Sequence, residues 1–506
     1  MQQIFVLFNE VISLITPLNL VVISGSTILG ILIGALPGLT STMGIALLTG
    51  ITYGLNPTVA LLILMGVYVG GTYGGSIAAV LIGIPGTGSA AATILDGHQL
   101  ARQGKGRMAL SLATISSFIG TIFGMILLAV FTPMLQNLAL NFTSAEYTLL
   151  AIFGVTICGS LTAAGEPIKG WIGGMLGLAL SCVGLDQIYG YQRFVFGIPG
   201  LMNGIAMVPA MIGLFGIPSV VFGLASMEKK AEITKIDHKD RKIGSLREIK
   251  RHLAVILSSG AIGTFIGVIP GVGEDIAAWV AYDTAKRTSK NPDSFGKGAL
   301  EGVISAETAN NACIGGAMIP LLSLGVPGSA PSAVLLGALM LHGVRPGPML
   351  KFESPTFILE MCAIILVAAV CMCIFGTLIC QIAPKILNVP IFILMPIVAA
   401  LSIIGAYAIN LSRFDMYTMF LVGIIGCLLS KYNYPAAPII LGLILGSTAD
   451  TNLRRTLVGS LGSLKPFVSR PICIILIICI AFSLISQLEV YKRWTDKLLE
   501  RKRKKG

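Results

Sequence analysis

Two stretches decide how this chain folds: Ile33-Gly-Ala-Leu-Pro-Gly-Leu39 and, 233 residues further on, Ile266-Gly-Val-Ile-Pro-Gly-Val272. Each sets a Pro-Gly pair inside an apolar run. A second pair follows each in the same order, Ile82-Gly-Ile-Pro-Gly-Thr-Gly-Ser-Ala90 after the first and Leu324-Gly-Val-Pro-Gly-Ser-Ala-Pro-Ser332 after the second. The spacing is 48 residues between Pro37 and Pro85 (85 − 37) and 57 between Pro270 and Pro327 (327 − 270). Similar motifs in one order, at comparable spacing, mark a duplicated chain.

The runs around these motifs are membrane-like. The 506 residues are 55% hydrophobic and 11% charged, where a soluble globular chain carries roughly a quarter charged residues. Mean hydropathy is +0.87. Apolar stretches near the roughly 20 residues needed to cross a bilayer recur from Val11–Leu36 to Pro471–Leu488. The expected fold is an all-α polytopic membrane protein of about 12 spans, in two repeats with discontinuous helices or re-entrant hairpins at the Pro-Gly motifs. Residues 1–227 form the first repeat, 228–252 a charged cytoplasmic linker, 253–490 the second repeat and 491–506 a basic cytoplasmic tail. The segment before Val11 lacks the basic residues of a secretory leader, so the first span is expected to be retained.

The formal charge of +12 collects around Arg102, Lys105 and Arg107, in the linker, and in the tail. Cytoplasmic loops gather basic residues, so these regions are expected on the inner side. The link after the first break, Gly50–Asn56, is uncharged, while its counterpart, Asp283–Lys297, is basic. That contrast predicts repeats of opposite orientation, an arrangement common in secondary transporters. A nucleic-acid partner would need a folded basic surface, and the sequence offers none.

Proline removes a backbone hydrogen bond and glycine admits unusual dihedrals, so each Pro-Gly pair ends one helix and lets another begin. Within lipid the freed groups must face protein or a water-filled cavity. The restarting helix points unpaired N–H groups and the positive end of its dipole into that cavity, a setting suited to a carboxylate. Expected substrate-binding residues are therefore Pro37, Gly38, Thr40, Ser41 and Thr42 at the first break and Pro85, Gly86, Thr87 and Ser89 at the second. The third and fourth contribute Pro270, Gly271 and Gly273, and Pro327, Gly328 and Ser329. Thr87–Leu95 is too short to span and is expected to form a hairpin tip.

Charges near the midplane are costly and usually functional, which singles out Glu274 and Asp275 as cation ligands, with helix capping as the alternative reading. Glu307, Asn310 and Asn311 share a helical face and offer the oxygen donors a hard cation such as sodium prefers, although interhelical hydrogen bonds explain them equally well. Tyr68, Thr72, Tyr73 and Ser76 are expected to line the same cavity. Glu166, Lys169, Asp186 and Arg193 near span ends, and Asp450, Arg454 and Arg455 in a loop, are expected to be solvated or interfacial. All ten cysteines lie in apolar runs without metal or disulfide spacing. Four scattered histidines and the lack of a Walker-type loop leave no soluble-enzyme signature and no direct use of ATP.

Gly71-Thr-Tyr-Gly-Gly-Ser76, Ile84-Pro-Gly-Thr87, Asp96-Gly97 with Gln103-Gly104, Phe295-Gly-Lys-Gly298, Glu307-Thr-Ala-Asn-Asn311 and His342-Gly-Val-Arg-Pro-Gly-Pro348 together resemble the large membrane subunit of the tripartite tricarboxylate transporters. The resemblance runs over nearly the whole chain. It implies a bacterial cytoplasmic (inner) membrane protein, not an enzyme, that imports tricarboxylates or related carboxylates without a cofactor. The coupling ion it implies is sodium or a proton. Its implied partners are a small membrane subunit of about four spans and a periplasmic solute-binding protein; a homodimer is compatible with it. One departure is Gly88, where a proline commonly follows the threonine. The competing readings are a carboxylate-selective channel and a non-transporting scaffold subunit.

Overall fold

The computed structural model describes residues 2–36, 38–162, 166–225, 246–387 and 389–487. Pro37, most of the expected 228–252 linker and the whole 491–506 tail lie outside the described residues. Within them the chain is helical apart from one two-residue antiparallel pair, Gly184–Leu185 with Gln192–Arg193. Nine of the described helices are long and apolar enough to cross a membrane, among them Pro17–Ala35, Pro57–Ile82 and Phe357–Leu387. Shorter apolar helices include Ser41–Thr52, Leu253–Val268 and Ala330–Leu341, and three of the four breaks adjoin one of them.

Two compact units result, and each draws on both halves of the sequence. The first comprises residues 1–140 and 208–427, the second residues 141–207 and 428–506. The division of the chain into units thus differs from its division into repeats.

In the first unit two hairpins are built alike. Pro17–Ala35 packs on Pro57–Ile82 through glycines: a Cβ on Gly30 or Gly34 would strike the backbone of Val67 or Gly71. Leu253–Val268 packs on Leu300–Leu324 in the same register, with Gly263 against Ala309 and Gly267 against Cys313. Small residues let helix backbones approach closely, as membrane interiors favour. Both long helices end on a left-handed glycine, Gly83 at φ 67° and Gly325 at φ 72°, the usual way to stop a helix and free the chain to turn. The long helices then exchange partners. Gly120 and Gly124 of Gly106–Ala139 lie against Thr308 and Ala312 of Leu300–Leu324, and Gly376 of Phe357–Leu387 lies against Tyr73 of Pro57–Ile82.

In the second unit Ser144–Thr162 and Pro167–Ser181 pack with Ala436–Gly459, where Gly177 and Gly442 meet backbone to backbone. No disulfide is formed among the described residues.

Candidate functional site

The Pro-Gly pairs use their glycines in two ways. Gly38 and Gly271 adopt φ of 90° and 72°, values an L side chain rarely takes, so here glycine lets the chain reverse. Gly86 and Gly328 have ordinary φ but no room: a Cβ would meet the carbonyl of Gly34 or of Gly267. Glycine thus turns the chain at the first and third breaks and brings it close to its neighbours at the second and fourth.

The first and fourth restarts carry side-chain caps. Thr40 Oγ1 accepts from Met43 N at 3.2 Å, and Ser41 and Thr42 behind it are buried. Ser329 and Ser332 form a reciprocal capping box, with Ser332 N donating to Ser329 Oγ at 3.3 Å and Ser329 N to Ser332 Oγ at 2.8 Å. Thr87 Oγ1 lies 3.0 Å from Ser89 Oγ, and both residues are buried. Downstream of the Gly88–Ala90 turn the second restart runs through Ala91–Leu100, longer than a bare tip, before Gly104 at φ 79° turns it into the next span.

These restarts converge on one another. Gly271 N donates to Pro327 O at 3.3 Å, joining the third break to the fourth. Glu274, buried, accepts a hydrogen bond from Tyr68 Oη, and that hydroxyl is 3.0 Å from Ser329 Oγ. Tyr68 is fully buried in the middle of Pro57–Ile82 and so ties the first half to two breaks of the second. Asp275 instead turns to the second break, where a Cβ on Gly88 would come 2.5 Å from its Oδ2. Gly88 and Asp275 are both exposed. The departure at Gly88 has a steric counterpart here, since a bulkier residue would collide with the carboxylate. Ser41 and Thr87 rest against Gly71 and Gly75, one turn apart on Pro57–Ile82.

The expected cation ligands separate into two groups. Glu274 and Asp275 stand at the convergence of the breaks. Glu307 is deeply buried in Leu300–Leu324 and accepts from Thr93 Oγ1 at 2.5 Å and Ser117 Oγ at 2.9 Å, so each carboxyl oxygen has a hydroxyl partner. Asn311 Nδ2 returns to Glu307 O at 3.1 Å, and its Oδ1 accepts from Thr121 at 3.5 Å. Asn310 Nδ2 reaches across to Thr72 O at 3.4 Å, while its buried Oδ1 has no hydrogen-bond partner. Among the described residues no cluster of three or more His, Cys, Asp or Glu side chains is placed to hold a metal ion. A hard monovalent cation would draw on hydroxyl, amide and carbonyl oxygens instead.

The aspartate of the Asp96-Gly97 motif proves structural. Asp96 is fully buried, and its Oδ1 accepts from the backbone N–H of Gly296, Gly298 and Ala299, each at 2.8 Å. Tyr282 Oη donates to Oδ2 at 2.9 Å. Asp96 therefore pins the second restart to the Phe295-Gly-Lys-Gly298 turn. The signal was present in the two glycine-rich motifs, but nothing local paired them.

Comparison with known proteins adds to this geometry. Residues 20–441 match the model of the tripartite tricarboxylate transporter TctA family, a segment holding all four breaks. The chain belongs to the tripartite tricarboxylate transporter TctA family. It is a multi-pass membrane component of a transport system whose family name denotes a tripartite assembly, with a binding protein and a small membrane subunit. It is 34% identical over 494 residues, 96% of each chain, to an uncharacterized 52.8 kDa protein in the TAR-I ttuC' 3' region of Agrobacterium vitis. An uncharacterized protein in the TAR-II ttuC' 3' region of the same organism is 34% identical over 230 residues, 45% of this chain and 95% of its own length. No solved structure matches the chain.

Proposed function

We propose that this TctA-family subunit is the translocating component of a binding-protein-dependent secondary transporter that imports tricarboxylates or related carboxylates by cation symport. One observation carries the reading. Helix restarts from both halves of the sequence meet in one place, joined by the Tyr68–Glu274–Ser329 contacts, the Gly271–Pro327 hydrogen bond and the approach of Asp275 to Gly88. Positive helix ends gathered at one site suit an anionic cargo.

The alike packing of the two hairpins and their exchange of partner helices support a duplicated fold of about 12 spans with repeats in opposed orientation. In that fold the site stays near the bilayer midplane while its access alternates. The substrate lies among Gly38, Thr40, Ser41, Thr42, Thr87, Ser89, Gly273 and Ser329, and the coupling sodium or proton engages Glu274 and Asp275. Glu307, with each of its oxygens held by a hydroxyl, braces the Leu300–Leu324 helix instead. The subunit works in a bacterial inner membrane beside its small membrane partner, and a periplasmic protein delivers the substrate.

The test is uptake of labelled citrate and related acids into proteoliposomes holding both membrane subunits with the binding protein outside. Concentrative uptake under an inward sodium or proton gradient is expected. Absence of uptake of any carboxylate under either gradient overturns the reading.

A further inference from the structure

An apolar groove lies in the first unit where two membrane-length helices join. Ile391–Ala408 and Arg413–Lys431 are both long and apolar enough to span, and only residues 409–412 link them. The end of one and the start of the other therefore lie at the same face of the bilayer. Both pack on residues 213–217: Gly216 faces Ser402, Gly213 lies against the Met419 carbonyl, and Gly423 lies against Ile217. Small residues carry that packing, which leaves the larger side chains on the remaining faces.

Those faces line a cavity of about 490 Å³, within the roughly 300–1,000 Å³ of sites that take a small organic ligand. Ile403, Ile404 and Met416 supply an apolar wall. Tyr407, Arg413 and Tyr417 supply a polar rim, each within about one turn of a helix end. Ile404, Tyr407 and Tyr417 are exposed, so the described residues do not close the groove.

The rim is positive. Arg413 is exposed and forms no ion pair among the described residues. The acid nearest to it in sequence, Asp415, accepts instead from Asn410 Nδ2 at 2.7 Å. Arg413 also opens its helix, where the positive end of the dipole disfavours a cation and favours an anion. A guanidinium pairs with phosphate through two parallel hydrogen bonds, and tyrosines settle at the headgroup level of a bilayer. A free anion would answer only the rim, and a plain hydrocarbon only the wall. A zwitterionic headgroup would bring its own cation beside Arg413.

We infer that this groove binds an anionic phospholipid, its phosphate on Arg413 between Tyr407 and Tyr417 and one acyl chain along Ile403, Ile404 and Met416. The inference does not rest on the cargo proposed above.

The test counts lipids by native mass spectrometry on the delipidated complex, purified with its small membrane subunit, and follows its melting temperature in parallel. The probes are phosphatidylglycerol, phosphatidylcholine with the same chains, and glycerol phosphate, which has the anion without the chains. Phosphatidylglycerol is expected to fill one saturable site per copy of this chain and to bind about fivefold or more tightly than phosphatidylcholine, the effect of one basic residue on an anionic lipid. Glycerol phosphate should leave the melting temperature unchanged. Arg413→Gln should bring the two lipids to within about twofold. Ile404→Trp fills the groove from a position already exposed, so it should melt like the native complex without lipid and lose the saturable site. Equal binding of the two lipids to the native complex overturns the inference, as does an unchanged preference in Arg413→Gln. Stabilisation by glycerol phosphate alone would make this a site for a free anion and overturn it too. Loss of the small subunit from Ile404→Trp with lipid binding intact would give the groove to that subunit instead.

Discussion

Glu274 is the residue on which the site turns. It is a buried carboxylate at a helix restart, and it accepts a hydrogen bond from the hydroxyl of a tyrosine from the other half of the sequence. Tyr68→Phe keeps the ring and removes that donor. A hydrogen bond to a charged group contributes about 1.5–3 kcal/mol, so the variant is expected to fold with a lowered melting temperature in detergent and to lose most of its transport. Full transport with unchanged melting would show the bond to be incidental. At Gly88 the obstacle is steric. Gly88→Val puts side-chain atoms where Asp275 Oδ2 lies, and uptake should fall at least tenfold, whereas Gly88→Val with Asp275→Ala should regain part of the lost folding stability. No gain in the double variant would mean that Asp275 is not what the side chain meets.

At the scale of elements, the breaks were legible because their cause is local. Proline and glycine act on their own backbone, so the four helix ends and the glycine caps follow from a few adjacent residues. Long-range partners were not legible. The partners of Asp96 could not be named from its motif because the N–H groups it accepts from lie some 200 residues away, at Gly296 to Ala299. For the same reason the hydroxyls of Thr93 and Ser117 that donate to the two oxygens of Glu307 could not be named from the sequence. Asp96→Ala would leave three N–H groups of one turn without their acceptor. The expected loss is roughly 3 kcal/mol or more, read as a large drop in melting temperature, and Asp96→Asn, which keeps one acceptor oxygen, should recover part of it. A melting curve unchanged in Asp96→Ala would contradict this anchoring role.

Across the whole molecule the sequence conveyed a duplicated membrane chain but not how its halves are shared between two compact units. Nor did it convey how the charges of the second unit pair. Asp186, expected to be solvated or interfacial, is buried and paired with Arg454 at 2.6 Å and Arg193 at 3.6 Å, while Asp450 binds both arginines at 2.9 Å. Asp450 and Arg454 also lie in the helix Ala436–Gly459, not in a loop. The N–H of Tyr189, with Ile188 and the two arginines, holds the Asp186 carboxyl below its ordinary range against the opposing effect of desolvation. A carboxyl lowered on folding stabilises above its unfolded value, and that stability is lost as pH falls through the folded one. Asp186→Asn should therefore melt below the native protein at neutral pH, and the gap should close as pH drops beneath about 4, the unfolded aspartate value. A gap that stays constant with pH would remove Asp186 from that role.

The central claim is that cargo crosses the membrane at the meeting point of the helix breaks. Its most direct test is uptake of labelled citrate, under inward sodium and proton gradients, by reconstituted complexes carrying Ser89→Trp or Ser329→Trp, each checked for membrane insertion and co-purification of the small subunit. The expected result is normal assembly with uptake abolished in both. Normal uptake in both assembled variants would place the transport route elsewhere in the molecule.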